Sequence, residues 1–364
     1  MIHYLTLWNS PFQSIKTKQK DVEMRLYDER RSKIKVGDFI VFENETTKEK
    51  IAVKVIKTNR FKSFKELYEF YPKTRIGYLE NEIAHPDDMG QYYSAEKREK
   101  YDAFAIEMEL IENRKVIVFD VDDTILKDDK TISNYSLNIL KSLQDLGHFV
   151  VMNTARSQFY NSRYFEMIHP DFEILNGGSL IVDKNLDIVY SNPINFGNIQ
   201  NFIKDILQVT DIFSFQCKDD LFTNNKDYKN QNAIYLDFKN NEFNQDVYKV
   251  VASFKDSKDA FELAKKYNIT YVPYLSGKFG RFSNKTDNKY NGNLVLSKHL
   301  GISLDDFIVF GDDHGDIEMI QKCGHGVLMK NSNPELHKLV KNISEFTNND
   351  DGVARELGSI FKIN

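Results

Sequence analysis

Val116-Ile117-Val118-Phe119-Asp120-Val121-Asp122-Asp123-Thr124 is the stretch on which the reading of the fold turns. Its first four residues are apolar without alternation, β-branched or aromatic throughout. That is how a strand buried on both faces of a parallel sheet reads. At the carboxyl end of the strand stand Asp120 and Asp122, two residues apart, then a Thr and a helix-like segment. Open α/β sheets bind ligands in the crevice beyond the carboxyl ends of their strands. Two carboxylates held there repel each other, and a bound cation offsets the repulsion. Taken alone, the pair also fits a solvated acidic loop after a core strand.

Three later segments repeat the design. Phe149-Val150-Val151-Met152 runs into Asn153-Thr154-Ala155-Arg156, Phe172-Glu173-Ile174-Leu175 into Asn176-Gly177-Gly178, and Phe307-Ile308-Val309-Phe310 into Gly311-Asp312-Asp313-His314-Gly315-Asp316. If these strands are parallel, their tips bring Asp120, Asp122, Thr154, Asp312 and Asp316 to one pocket. Between strands the period becomes helical. Leu137, Leu140, Leu143 and Leu146 recur before Gly147, a C′ cap, and Leu294, Leu296 and Leu300 precede Gly301. Strands alternating with such helices predict an α/β, doubly wound, Rossmann-like sheet.

On these motifs, the region from Arg114 to Asn364 resembles a haloacid dehalogenase (HAD) superfamily phosphatase of the Cof type. The DxDxT motif of that family stands here as Asp120-Val121-Asp122-Asp123-Thr124, and its strand-end Thr followed by Arg as Thr154-Ala155-Arg156. The NGG turn is Asn176-Gly177-Gly178, and GDxxND is matched by Gly311-Asp312-Asp313-His314-Gly315-Asp316. In that family a Lys opens a helix that closes on Leu-Gly-Ile, and counting back from Leu300-Gly301-Ile302 selects Lys289 over Lys278 and Lys285.

The resemblance implies a Mg²⁺-dependent phosphomonoesterase. Asp120 would attack phosphorus and form an aspartyl-phosphate. Asp122 would protonate the leaving alkoxide and then activate water. Thr154 and Lys289 would hold the phosphoryl oxygens, with backbone amides near the turns as further donors. Asp120, Asp122, Asp312 and Asp316 would serve the metal, a hard cation suited to oxygen ligands. Arg156, Asn176 and Gly177 would meet the substrate, Arg156 serving equally as a brace for its loop. Gly315 departs from the family's Asn, which implies a looser metal site. His314 beside it reads as a surface or gating residue.

More than a hundred residues separate Asn176-Gly177-Gly178 from Lys289, too many for a loop. Strand-like Ala233-Ile234-Tyr235-Leu236 and Lys249-Val250-Val251-Ala252-Ser253-Phe254, with helix-like Ala260-Phe261-Glu262-Leu263-Ala264, resemble the α/β cap of Cof-type enzymes, placed at about 193–281. Such a cap closes over the pocket and chooses the leaving group. Asp219 to Asn232, rich in Asn, Asp and Lys, reads as a mobile excursion of it.

Residues 1–112 carry a different signal, and the phosphatase-like region is set at 113–364. Period-two alternation (Ile51, Val53, Val55; Phe104, Ile106, Met108, Leu110), the turn Val36-Gly37-Asp38, the strand Phe39-Ile40-Val41-Phe42 and a helix from Phe64 to Phe70 predict a small, mostly antiparallel β domain. Pro11-Phe12-Gln13-Ser14-Ile15-Lys16, Lys20-Asp21-Val22-Glu23-Met24-Arg25-Leu26 and Lys35-Val36-Gly37-Asp38-Phe39-Ile40 make it similar to an ASCH domain, a PUA-like β-barrel. That implies recognition of RNA or a nucleotide through Lys20, Glu23 and Arg25, or hydrolysis of a modified nucleoside by Lys20 and Glu23. Lys18 stands where that family often has Gly. From Lys16 to Lys65 there are 15 basic and 8 acidic residues, and from Glu66 to Glu112 5 basic and 12 acidic. A basic face can meet a phosphate backbone, and equally can be solvated surface.

Composition sets the remaining bounds. A chain of 364 residues with 41% hydrophobic content holds two or three globular domains. Cys217 and Cys323 alone give no disulfide framework and fit a reducing cytoplasm. Ile2 to Trp8 is too short for a signal peptide, and no apolar run approaches the roughly 20 residues of a spanning helix. A net charge of −5 argues against a protein that coats nucleic acid throughout, so no DNA-coating role is expected. The expected partners are a phosphorylated small molecule or nucleotide, and RNA through the N-terminal domain, with no membrane. An RNA-binding or regulatory protein that uses the HAD fold as scaffold is the alternative.

Overall fold

The structure, a computed structural model, describes residues 1–229, 232–274 and 278–363. Asn230 and Gln231 of the polar stretch and three positions of the cap range (275–277) lie outside these. The chain divides into two compact units. One contains Met1–Arg114, Asn138–His148 and Leu357–Asn364, and the other Lys115–Leu137 and Phe149–Glu356.

The first unit is built on a curled five-stranded sheet. Its order is Ile2–Leu7, Phe39–Asn44, Lys50–Phe61, Ala103–Leu110, Val22–Leu26; only the first pair is parallel. Period-two alternation gives the sheet two apolar faces. Phe104, Ile106 and Met108 join Phe12, Ile15, Ile40, Phe42, Val53 and Val55 in one cluster, while Ala103 and Ala105 turn the other way onto Phe64, Leu67 and Met89. The helix Phe64–Phe70 starts where Ser63 accepts the amide hydrogen of Glu66.

In the second unit a seven-stranded sheet runs Ile188–Ser191, Leu180–Asp183, Phe172–Leu175, Phe149–Asn153, Val116–Phe119, Phe307–Gly311, His325–Leu328. The last five are parallel; the first two form antiparallel pairings at one edge. Val116, Ile117, Val118 and Phe119 are fully buried, as an unbroken apolar run at the centre of a covered sheet requires.

The same unit contains a six-stranded sheet ordered Ile234–Tyr235, Leu221–Thr223, Phe213–Gln216, Lys249–Ser253, Phe279–Ser283, Thr270–Pro273. Its core, rich in phenylalanine, takes Phe202, Ile203 and Ile206 from the helix Ile199–Val209 and Ala260, Leu263 and Ala264 from the helix Ser257–Lys266. Among the described residues no helix is long and apolar enough to cross a membrane.

Candidate active site

Strand register brings the motif tips together. Phe119 is paired with Phe310 on one side and Met152 on the other, and Asn153 with Ile174. Asp120, Thr154, Asn176 and Asp312 therefore emerge at one edge of the sheet. Beyond its strand the chain turns sharply through Val121–Ile125, where Asp123 takes φ +54°. That turn places the Thr124 hydroxyl to donate to Asp312 Oδ1 at 2.7 Å.

Asp120, Asp312 and Asp316 each offer a carboxylate oxygen within 4.8 Å of the others. Lys289 joins them: its Nζ is 2.7 Å from Asp120 Oδ1 and 2.6 Å from Asp316 Oδ1. Asp316 spends its other oxygen on the amide hydrogens of Asp312 and Asp313, both at 3.1 Å. Gly311 makes room for it, since a Cβ there would stand 2.3 Å from the Asp316 side chain. Burial, reinforced by Asp316 and Asp312, pushes the Asp120 carboxyl above its usual range against the pull of Lys289. Burial likewise pushes Asp312 up to about 7. Lys289, despite its burial, is raised by the two carboxylates it bridges. Three mutually repelling hard-oxygen donors of this kind fit a divalent cation.

Lys289 opens the helix Lys289–Leu300, capped by the Asn288 side chain on the amide of Asn291. Two residues that sequence reasoning missed fix that opening. Asn153 Nδ2 donates to Lys289 O and to Asn293 Oδ1, each at 2.9 Å, in full burial. Asn153 adjoins Thr154 in sequence, which was the available signal.

Asp122, expected with Asp120, Asp312 and Asp316 about the metal, has its side chain outside the cluster those three form. Its oxygens accept from Arg156 Nε at 2.7 Å and Nη2 at 2.6 Å, and Lys130 Nζ lies 3.2 Å away. Although partial burial works the other way, these cations hold the Asp122 carboxyl below its usual range. Arg156 thus braces the acid, and Lys130 was not foreseen.

Thr154 is buried, and its Oγ1 accepts the amide hydrogen of Arg156 at 3.1 Å. The Asn176-Gly177-Gly178 turn has φ of +53°, +73° and +109°. A Cβ on Gly178 would stand 2.3 Å from Asn288 O, so only glycine fits there. The amides of Asn176 and Gly177 bond to Arg156 O and Thr154 O, at 2.8 and 2.9 Å. Both amides are therefore spent within the protein. The Asn176 side chain is different: it is 2% exposed and neither of its polar atoms has a hydrogen-bond partner among the described residues.

In the first unit, Glu23 lies buried between Lys20 Nζ at 2.8 Å and Arg25 Nε at 2.7 Å. Both cations hold its carboxyl below the usual range, outweighing burial. They border a cavity of about 640 Å³ whose walls include Trp8, Tyr78 and Tyr92.

Residues 117–357 match the model of the haloacid dehalogenase-like hydrolases, and residues 5–112 that of the ASCH domain. The chain is 26% identical over 268 residues to the Bacillus subtilis 5-amino-6-(5-phospho-D-ribitylamino)uracil phosphatase YitU, covering 68% of this chain and 98% of that protein. Among solved structures, a haloacid dehalogenase-like hydrolase of Bacteroides thetaiotaomicron superposes with a TM-score of 0.59 at 20% identity, over 68% of this chain and 99% of that one. A protein of Geobacillus kaustophilus does so with a TM-score of 0.60 at 18% identity, over 68% and 98%. With the sheet, the strand-end carboxylates and these matches together, the chain belongs to the haloacid dehalogenase-like hydrolases, a phosphatase of that family preceded by an ASCH domain.

Proposed function

We propose that the protein is a Mg²⁺-dependent phosphomonoesterase working through an aspartyl-phosphate on Asp120, with a phosphorylated small molecule or nucleotide as substrate. The observation that carries this is the cluster of Asp120, Asp312 and Asp316 within 4.8 Å, bridged by Lys289. Asp120 and Asp312 would hold the cation, with Asp316, tied to Lys289 and two amides, fixing their spacing. When bound, the cation neutralises the carboxylates and the incoming phosphate.

Asp120 then attacks phosphorus as the ester P–O bond breaks. The leaving alkoxide takes a proton from Asp122. Water hydrolyses the aspartyl-phosphate, returning its proton to Asp122. Since Arg156 and Lys130 favour the carboxylate form of Asp122, it is set for the water step. Its acid role requires Arg156 to swing off as substrate enters. Lys289 and the unpartnered Asn176 amide offer donors to the phosphoryl oxygens.

The module limits we propose are 1–112 for the ASCH domain and 113–364 for the phosphatase, with the cap inserted at about 193–281. The Lys20–Glu23–Arg25 cluster beside an aromatic cavity supports a second reading, in which the N-terminal module recognises a nucleotide or RNA.

The deciding experiment is hydrolysis of p-nitrophenyl phosphate with Mg²⁺ and in EDTA. Turnover should require the ion, and Asp120→Asn should abolish it. Full activity in EDTA, or in the Asn variant, overturns the assignment.

A further inference from the structure

One face of the six-stranded sheet is consumed by its own core: Val250, Ala252 and Phe282 point into the aromatic cluster. The opposite face carries Lys249 and Arg281. Lys249 is paired with Gln216 on one neighbour, and Arg281 lies across from Val251 on the other. Lys249 and Arg281 are therefore diagonal neighbours on adjacent antiparallel strands, about 7–8 Å apart at their Cα positions.

Both cations reach the loops that carry the candidate catalytic residues. Lys249 Nζ donates to the carbonyl oxygen of Ala155, between Thr154 and Arg156, at 2.5 Å. Arg281 Nη1 lies 3.8 Å from where a Cβ on Gly177 would stand, beside Asn176. Beside them Gln216 is buried, and its Oε1 has no hydrogen-bond partner among the described residues.

Ion pairing does not account for these two cations, and Asp287 acts on Arg281 only from beyond ion-pair distance. Lys249 is only 5% exposed. Among the described residues no carboxylate comes within the 4.0 Å of an ion pair with either cation. A buried ammonium with one carbonyl partner is costly, and a second cation beside it adds repulsion. Burial, then Arg281 and Arg156, pull the Lys249 pKa down to about 7. An anion between the two side chains would relieve both effects.

We propose that Lys249 and Arg281 form a second anion site, for the leaving group, so that the preferred substrate is a phosphomonoester whose alcohol portion carries a further carboxylate or phosphate. This rests on the phosphatase reading, with the transferred phosphoryl at Asp120 and the second charge under the sheet.

The test measures kcat and KM of the full chain with Mg²⁺ on two matched pairs. Glycerol 3-phosphate against 3-phosphoglycerate adds a carboxylate, and fructose 6-phosphate against fructose 1,6-bisphosphate adds a phosphate. The doubly charged member of at least one pair should be preferred about ten-fold or more in kcat/KM, mainly through KM. Which pair responds identifies the second anion. Lys249→Met and Arg281→Met should each collapse the preference, and Arg281→Lys, which keeps the charge, should retain most of it. Turnover without preference in either pair, or a preference that survives both Met substitutions, overturns the proposal. Failure to hydrolyse any of these esters, p-nitrophenyl phosphate included, overturns the phosphatase reading itself.

Discussion

Asp122 meets two cations, and this sets what its replacement should do. Arg156 and Lys130 keep it charged at rest, so Asp122→Asn removes a proton carrier and frees Arg156 at once. A carrier matters most when the departing alkoxide is unstable. Asp122→Asn should therefore slow alkyl phosphates far more than p-nitrophenyl phosphate, by roughly 100-fold or more against less than about 10-fold. Equal losses on both would mean that Asp122 serves only to hold its loop. Glu173 gives a second residue-scale expectation. It is fully buried on a central strand, hydrogen-bonded by Asn161, and burial pushes its carboxyl up to about 7. The fold thus favours the protonated acid. Its contribution is fully present below the unfolded carboxyl pKa, near 4.3, and is lost as pH rises through about 7. Glu173→Gln should raise the melting temperature at pH 8 and change it little at pH 5; a gain equal at both would show that Glu173 does not titrate there. None of this was legible in the sequence, where Glu173 is one polar position inside an apolar run and its ionisation depends on what packs around it.

At the level of elements, the sequence carried most of the site because motif residues sit where strands end. Strand ends are local: the run Val116–Phe119 and its Asp120 need no knowledge of distant residues, and the helix Lys289–Leu300 announces its end by Gly301, at φ +66°. Side-chain direction was not local. Whether Asp122 turns to the triad or to Arg156, and whether the Asn176 and Gly177 amides face substrate or Thr154 and Arg156, is decided by loops that meet only in the fold. If the cluster holds a cation as proposed, the assembled loops should make that binding depend on pH. With Asp312 raised to about 7 and Asp120 raised beside it, protons compete with the cation for the same oxygens. Without metal, the stabilising contribution of these protonated acids is lost as pH rises through about 7. Added Mg²⁺ should then raise the melting temperature more at pH 8 than at pH 6, and Asp312→Asn should remove most of that gain. A gain that is larger at pH 6 would contradict the shared protonation of the cluster. Gly315 belongs to the same loop. A Cβ there meets nothing within 4 Å, so the side chain usual in the family has room and its absence need not strain the turn.

Across the whole molecule, local charge in the sequence overstated what the folded surface offers. The basic stretch 16–65 looked like a face for phosphates, yet nine of its fifteen cations pair with carboxylates, among them Lys16 with Glu49, Lys18 with Glu112 and Lys57 with Glu107. Lys18, Lys50, Lys57 and Arg60 take partners from beyond the stretch (Glu112, Asp145, Glu107 and Asp102), which its composition could not reveal, while the other five pair with acids inside it. Exposed pairs of this kind are worth little, about 0–1 kcal/mol each, so a polyanion can still compete for them. Lys20 and Arg25 are another matter, because reversing either would strand Glu23 in the interior and damage the fold. The informative substitutions are at exposed cations, Lys54 and Lys62. If the N-terminal module grips a nucleic-acid backbone over this stretch, binding of a short single-stranded RNA to the full chain should weaken steadily as salt rises, since each phosphate contact releases a condensed counterion. Lys54→Glu with Lys62→Glu should then weaken it further and flatten its salt slope, while p-nitrophenyl phosphate turnover stays unchanged. Binding that ignores both salt and these substitutions, but is lost on filling the cavity by Ser14→Phe, would move recognition from a charged face to the aromatic cavity and to a single nucleotide. A chain that binds neither RNA nor nucleotide in any salt would leave the paired cations as ordinary surface.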